Sequence, residues 1–237
     1  MGDDVQPIGE ALLTAAADLT GVMSTDDDVV DRTLRTAASA VATVVPGAGH
    51  VGAAVTVRGT FAARATGDAV AEELDAVQAS GRSGPGPEAA ARGTCVEVPD
   101  LVADPRWPRL AEAAARHGVT SALSLVLRGH DGVLGVLTLY TPAPLDPDAR
   151  VLAEALTAQA AVALFGAQRI AGLARAVSSR DVIGQAKGIL IQRDGVDDES
   201  AFAMLVQASQ ATNMKLVDVA QWLVSQAKGT ATTDAPA

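Results

Sequence analysis

The chain has 237 residues, of which 49% are hydrophobic and 19% are charged, and its formal net charge is −10. This composition is typical of a soluble protein of one or two domains and excludes a disordered polypeptide. Aromatic residues make up only 3% of the chain, which argues against RNP-type or OB-type nucleic-acid recognition, because those folds use aromatic stacking platforms.

The cysteine content, the charge and the amino-terminal segment indicate the cellular compartment of the protein. The single cysteine, Cys95, excludes an intramolecular disulfide and a thiolate metal cluster. The first residues lack the basic region of a signal peptide, and no continuous apolar stretch has membrane-spanning length. Residues 1–169 carry 12 basic and 21 acidic side chains, so this part should avoid nucleic acid and anionic lipid. We therefore expect a cytoplasmic protein without a membrane segment.

The first predicted elements are two helices and a strand hairpin. Apolar periodicity predicts helices at residues 8–23 and 27–45, separated by a Ser-Thr-Asp capping sequence. Alternating residues from Val51 to Val57 predict a strand. Arg58-Gly59 predicts the turn that brings a second strand, at residues 61–66, back against the first.

A helix, an irregular stretch and a second hairpin follow. The helix is predicted near residues 69–79, and residues 80–107 are predicted to be largely irregular because glycine and proline are frequent there. Alternating apolar residues, Leu123, Leu125 and Leu127, predict a strand that leads to a turn at residues 130–132. Residues 133–140 predict the second strand of this hairpin. Asp-Gly between two such runs is a strong hairpin signal.

This order of elements resembles a GAF domain, an α+β sensor fold in which helices flank an antiparallel sheet. The strings DLVADPRWPRLAEAAARHGVTSALSLVL and GVLGVLTLYTPAP are similar to GAF domains of actinobacterial regulators, and the resemblance covers residues 8–165. It implies a small-molecule or signal sensor whose binding wall is formed by residues 80–93 and 99–107. A plain surface connection is the alternative for that wall.

Metal, cofactor and catalytic sites have no support in the sequence. The three histidines, His50, His117 and His130, are scattered, and none has a second ligand at metal-binding spacing. Trp107 is predicted to be a core residue, and Cys95 is predicted to be a buried apolar residue in a strand. No GxSxG, HExxH or P-loop motif is present, so we expect neither an enzyme nor a resident cofactor.

A long helical pattern connects this domain to the end of the chain. Residues 147–193 contain no internal proline after Pro147, and two series of residues recur every seven positions. One series is Leu156, Ala163, Ile170 and Val177, and the other is Leu152, Gln159, Gly166, Leu173 and Arg180. We interpret the segment as the last GAF helix that also pairs two chains in a homodimer. Packing on its own sheet is the alternative, and it is favoured up to Phe165.

The last part of the chain is predicted to form three helices. The first helix carries Ile183, Ala186 and Leu190 on one face. It is predicted to end at the turn Asp194-Gly195. The second helix is expected to begin at the acidic residues 197–199, to bury Phe202, Leu205 and Val206, and to stop at Asn213, because asparagine tolerates left-handed backbone. The third covers residues 216–227. Periodicity alone also fits a plain bundle that dimerises or packs on its neighbour.

The spacing within residues 173–228 resembles the ANTAR domain, an RNA-binding module of transcription antiterminators. The matching residues are Ala186-Lys187-Gly188, Ala201-Phe202, Leu205, Ser209-Gln210, Asn213, Lys215-Leu216 and Asp218-Val219-Ala220. The resemblance implies binding to RNA stem-loops. Candidate phosphate contacts are Arg180, Lys187, Arg193 and Lys215, and candidate contacts to bases or sugars are Gln185, Gln210 and Asn213.

This module carries less positive charge than the resemblance implies. Val206, Gln207 and Val217 stand where the family often carries basic residues, and residues 170–229 contain six basic and six acidic side chains. We therefore expect weak RNA binding by one module and a need for dimerisation. The predicted organisation is a GAF-like domain at 8–165, a signalling helix and ANTAR domain at 166–229, and a disordered tail at 230–237. A GAF ligand-binding or protein-interaction dimerisation module whose tail has lost RNA binding is the alternative.

Overall fold

A computed structural model describes residues 27–57, 59–130 and 132–231, with side chains described between residues 28 and 227. The helix predicted at residues 8–23 lies outside the described residues. So does the predicted tail, apart from Thr230 and Ala231, which end the last helix.

Within these ranges the structure has seven helices and five strands. In chain order they are α1 (Asp27–Val44), β1 (His50–Val57), β2 (Thr60–Arg64), α2 (Ala69–Gly81), α3 (Pro85–Arg92), β3 (Val96–Val98), α4 (Pro108–Arg116), β4 (Ser121–Arg128), β5 (Val133–Thr141), α5 (Pro147–Asp194), α6 (Asp198–Thr212) and α7 (Leu216–Ala231).

The five strands form one antiparallel sheet in the order β2-β1-β5-β4-β3. Both predicted hairpins are present, β1 with β2 and β4 with β5. A backbone hydrogen bond of 2.7 Å from Gly129 to Gly132 closes the second hairpin. The expected α+β architecture is therefore confirmed.

Each face of the sheet supports its own hydrophobic core, because side chains alternate between faces along every strand. One core joins odd-numbered β1, β4 and β5 residues, such as Val51, Leu125 and Leu139, to α1 and the first part of α5. The other joins residues such as Ala54 and Tyr140 to α2, α3 and α4. Alanine is frequent in both cores, which lets the helices approach the sheet closely.

The prediction of an irregular stretch at residues 80–107 is wrong for residues 85–92, which form α3. Pro85 occupies the first turn, where its missing N–H has no helical partner to lose, and an Ala-rich run follows it. Gly93 ends the helix with φ 65°. The strand predicted to bury Cys95 begins one residue later, and Cys95 is exposed. Trp107 is buried as predicted, 7% exposed.

The described chain divides into two compact units, residues 27–171 and 172–231. The helix α5 belongs to both. Its buried residues up to Ala171, six residues beyond Phe165, lie in the core of the first unit.

By length and composition, α5 is also apolar enough to cross a membrane, contrary to the sequence expectation. A core helix of a soluble protein has the same composition. Buried residues of α5 from Ala153 to Ala171 lie in the first core, and 33% of the apolar stretch is buried, so this composition alone does not make α5 a membrane helix.

Candidate functional site

The second unit is a three-helix bundle formed by the end of α5 with α6 and α7. Its core contains Ala186, Leu190, Ala201, Leu205, Val219, Ala220, Leu223 and Val224. Small residues at Ala186, Ala201 and Ala220 are fully buried, which allows the three helices to pack closely. The bundle therefore has its own core and forms a platform for the exposed polar residues around it.

The ends of the helices are fixed by the residues that the sequence predicts. Helix α5 stops at Asp194, and Gly195 follows with φ 67°. Asp197 caps α6 by accepting a hydrogen bond of 2.8 Å from the N–H of Ser200. That hydrogen bond lowers the pKa of Asp197. Asn213 ends α6 in the left-handed region, with φ 54°.

Four of the predicted RNA contacts lie on α5, but no single face carries all of them. Arg180 and Lys187 are seven residues apart and share one face. Gln185 and Arg193 point to other sides of the helix, and both are exposed. The structure therefore does not bring these four side chains into one patch.

Two of the predicted phosphate contacts, Lys187 and Arg193, are engaged within the bundle. The Lys187 ammonium lies 2.5 Å from the Asp198 carboxylate, and the Lys187 side chain is 21% exposed. Arg193 donates two hydrogen bonds, of 2.8 and 2.9 Å, to Asp194. That pairing raises the pKa of Arg193 and lowers the pKa of Asp194. Both cations must leave or share an acidic partner to contact a phosphate.

The other three predicted contacts lie together at the turn between α6 and α7. Gln210, Asn213 and Lys215 fall within six residues, and all three are exposed. The Ser209 hydroxyl donates a hydrogen bond of 2.6 Å to the Met214 carbonyl and so holds the turn closed. We name Gln210, Asn213 and Lys215 the α6–α7 turn cluster. It combines one cation with two amide side chains on a fixed backbone.

The sequence does not indicate the roles of two residues in the first half of α6, Asp198 and Phe202. Phe202 was assigned to the core, but it is 42% exposed, while Ala201 takes the buried position. Asp198 lies one helical turn before Phe202 and holds Lys187. Because Ala201 and Phe202 both follow the acidic and polar residues 197–200, the larger side chain is the one that the sequence suggests for the core. The structure buries Ala201 instead. An exposed aromatic ring is a suitable stacking surface for an unpaired base.

In the first unit, part of the wall expected to bind a ligand is buried in the core. Helix α3 buries Pro85, Gly86 and Ala89 against the sheet, and Trp107 packs in the same core. A groove of about 300 Å³ lies at the edge of this core, lined by residues that include Ser83, Arg106 and the core residue Trp107. The guanidinium of Arg106 stacks 4.0 Å from the Trp107 ring centre. The predicted wall therefore packs on the core in part and lines this groove in part.

The model of the GAF domain family matches residues 27–164, more than half of the chain, and the model of the ANTAR domain matches residues 171–224. The chain belongs to the GAF family and ends in an ANTAR domain. The predicted order of domains is confirmed. These are sensor and regulatory domains rather than catalytic ones, so the GAF–ANTAR protein is a regulator with a sensor domain and an RNA-binding output domain.

Solved structures similar to the chain include two that are named for a GAF domain. The GAF-B domain of DevS from Mycobacterium smegmatis is 22% identical, with 62% of this chain and 98% of that chain covered and a TM-score of 0.44. A GAF domain/HD domain protein from Geobacter sulfurreducens is 13% identical, with 61% and 99% covered and a TM-score of 0.46. These likenesses carry no functional information about the GAF–ANTAR protein. A search of curated proteins gave no match.

Proposed function

We propose that this protein acts in the cytoplasm, binds RNA stem-loops through its ANTAR bundle and thereby controls transcription antitermination. The α6–α7 turn cluster carries the proposal. It is an exposed group of one cation and two amides on a backbone fixed by the Asn213 cap and the Ser209 hydrogen bond. A hairpin loop offers phosphates and unstacked base edges to such a group. The GAF domain senses the signal, which is a small molecule or a protein partner.

Recovery of cellular RNA with the intact protein tests the proposal. The wild-type protein should enrich RNAs with paired hairpins, and Lys187→Ala combined with Lys215→Ala should abolish the enrichment. Arg109→Ala is the matched control, because it removes one exposed cation from the GAF domain instead. Equal recovery by the double variant and the wild type would contradict the proposal.

We further propose that the protein works as a homodimer that pairs through α5. Val162, Ile170, Leu173 and Val177 are spaced along one side of this helix and are 75%, 61%, 69% and 61% exposed. The α5 residues buried in the GAF core, between Ala153 and Ala171, lie on the opposite side. Large exposed apolar surfaces are uncommon on soluble monomers, and α5 of a second copy would cover this face with matching side chains. We name these four residues the exposed face of α5.

Sedimentation equilibrium tests the dimer. The wild type should sediment as a dimer at micromolar concentration, and Leu173→Glu combined with Val177→Glu should sediment as a monomer. Ser178→Glu adds one charge at an exposed position on the opposite side of α5 and should stay dimeric. A monomeric wild type, with and without RNA, would contradict dimerisation without deciding whether RNA binds.

A second candidate function is a GAF dimerisation module, for ligand or protein interaction, whose ANTAR tail no longer binds RNA. The ion pairs of Lys187 and Arg193 with Asp198 and Asp194 favour it, because they leave less positive charge for phosphates. A dimer that enriches no RNA in the recovery experiment would support this candidate.

A further inference from the structure

A group of buried polar side chains lies on the face of the GAF sheet that packs against α2, α3 and α4, within an otherwise apolar core. Its members are Asp75 and Gln78 on α2, Ser124 on β4, and Thr138 and Tyr140 on β5, and each is 1% exposed or less. We name these five residues the inner polar cluster. Burying polar groups without partners destabilises a fold, so their hydrogen bonds decide what the cluster does.

The hydrogen bonds run in sequence from Asp75 to helix α3. The Tyr140 hydroxyl donates to Oδ1 of Asp75 at 2.5 Å. The Gln78 amide nitrogen donates to the Tyr140 hydroxyl and, at 3.4 Å, to the same Asp75 oxygen. The Gln78 amide oxygen accepts a bond of 2.8 Å from the N–H of Gly86 in the first turn of α3. Asp75 is therefore connected to α3 through two side chains.

The backbone is shaped to accommodate Asp75 and Gln78. A Cβ atom on Gly52 would lie 2.2 Å from Oδ2 of Asp75. A Cβ on Gly84 would lie 2.2 Å from the Gln78 amide oxygen, and a Cβ on Gly86 would lie 3.2 Å from the same atom. Glycines from β1 and from the start of α3 thus leave room for the carboxyl and the amide. Any side chain at Gly52 or Gly84 would displace them.

Asp75 is the ionisable centre of the cluster. Burial raises the pKa of Asp75 to about 7, although the hydrogen bonds from Tyr140 and the N–H of Ala53 act in the opposite direction. Burial and the charge of Asp75 also raise the pKa of Tyr140 well above its ordinary value. Oδ2 of Asp75 is buried, and among the described residues no group satisfies it with regular hydrogen-bond geometry. A carboxylate in this position lacks a compensating cation.

The charged groups around the cluster are few and mostly paired elsewhere. Glu72, on the same helix, raises the pKa of Asp75 through its charge. His50 is the β1 partner of Tyr140 in the sheet and is paired with Asp68. The remaining pairs on and beside the helices packed against this face are Glu88 with Arg92 and Arg106, Arg106 with Asp104, and Glu73 with both Arg116 and His117. None of these described pairs places a cation against Asp75.

We propose that Asp75 is a proton-binding site of the GAF domain, and that its charge state is relayed through Tyr140 and Gln78 to the first turn of α3. With Asp75 ionised, the Tyr140 hydroxyl must donate to it, as the structure shows. With Asp75 protonated, the carboxyl gains a donor and Tyr140 can turn its own hydrogen elsewhere. The Gln78 amide nitrogen then loses Oδ1 of Asp75 as an acceptor. The hydrogen bond from the Gly86 N–H to the Gln78 amide oxygen changes as a result. This inference concerns the GAF domain alone and does not depend on RNA binding.

Tyr140 is the single tyrosine of the chain, so it is a unique spectroscopic probe. Tyrosine labelled with ¹³C at Cζ gives one NMR signal, and ¹⁵N labelling follows the Gly86 amide in the same sample. We expect both signals of the full-length protein to shift together as pH is raised, with a midpoint between about pH 6 and pH 8. In Asp75→Asn, which keeps the size and an acceptor oxygen, both shifts should disappear.

Two variants separate Asp75 from its neighbours. His50→Gln removes the titratable side chain opposite Tyr140 and should leave the midpoint in place. Glu72→Gln removes the nearby negative charge and should lower the midpoint, and this variant remains informative if Asp75→Asn does not fold. A Tyr140 signal that stays constant over the range, or a midpoint that disappears in His50→Gln, would overturn the proposal. So would a Tyr140 shift without a shift of Gly86.

Discussion

At the residue scale, Asp75 ties the stability of the GAF domain to pH. The folded-state pKa is raised from 3.8 to about 7, so the folded chain holds this proton more tightly than the unfolded chain. The stabilisation from Asp75 is complete below the unfolded pKa and is lost as pH rises through the folded pKa. Each unit of pKa difference corresponds to about 1.4 kcal/mol. The free energy of unfolding should therefore fall by a few kcal/mol between about pH 4 and pH 8.

Urea unfolding followed by Trp107 fluorescence measures this loss. Trp107 lies in the GAF core and Trp222 in the ANTAR bundle, so the experiment uses a Trp222→Phe background to isolate the GAF signal. In Asp75→Asn the contribution should vanish, and the variant should be relatively more stable at high pH. Equal pH dependence in both proteins would assign the effect to other groups.

Lys187 and Asp198 give a second residue-scale prediction. Their ion pair lies at the surface on the Asp198 side, which is 75% exposed, so it stabilises the bundle by no more than about 1 kcal/mol. If Lys187 contacts phosphate, Asp198→Asn releases it and removes a repelling charge. We expect tighter RNA binding, by roughly threefold to tenfold, in a salt-dependent manner.

A double-mutant cycle in filter binding checks this coupling. The gain from Asp198→Asn should shrink when Lys187→Ala is already present, because the released cation is then missing. An equal gain in both backgrounds would show that Asp198 repels RNA directly and that Lys187 is a structural residue.

Some residue roles could be predicted from the sequence, whereas others depend on packing. The caps at Asp197 and Asn213 follow from side-chain chemistry that acts within a few residues. Cys95 and Phe202 have apolar side chains, and nothing local distinguishes a buried from an exposed position for them. The inner polar cluster joins residues up to 65 positions apart, such as Asp75 and Tyr140. No local pattern could bring them together.

At the element scale, Asn213 has two roles that one pair of variants separates. Its backbone is left-handed, with φ 54°, and its amide belongs to the α6–α7 turn cluster. Asn213→Ala should destabilise the bundle by about 1 kcal/mol, because alanine is strained in this region. Asn213→Gly should keep the stability, because glycine adopts this conformation without strain. If the amide contacts RNA, both variants should bind RNA more weakly. Thermal unfolding and filter binding together test the pair, and normal RNA affinity of Asn213→Gly would assign Asn213 to the cap alone.

Elements were predictable where one local pattern dominates, as α3 and α5 illustrate. The β1–β2 and β4–β5 hairpins combine alternating residues with a glycine turn, and the structure contains both. Helix α3 has glycine and proline at three of its first positions, and these residues indicate a loop unless the sheet that covers them is known. One seven-residue series of α5 includes Leu156, which packs against the GAF core, and Val177, which is exposed. One periodic pattern therefore describes two different environments.

At the scale of the whole molecule, dimerisation and RNA affinity should be linked. The ANTAR segment has no net charge over residues 170–229, so a single module gains little from phosphate neutralisation. Two modules on one dimer can bind two hairpins of the same RNA, and the second contact then forms at a high effective concentration. Affinity for a two-hairpin RNA should therefore depend on the exposed face of α5, although these residues need not touch RNA.

The variant Leu173→Glu with Val177→Glu should thus bind a two-hairpin RNA about 100-fold more weakly than the wild type, the lower end of avidity gains for linked sites. Its affinity for an RNA with one hairpin should not change, because each bundle keeps its own core and its α6–α7 turn cluster. Ser178→Glu should bind both RNAs as the wild type does, which controls for the added negative charge. Equal losses on the two RNAs would mean that α5 itself contacts RNA or that the substitutions unfold the bundle, and far-ultraviolet circular dichroism separates those two cases.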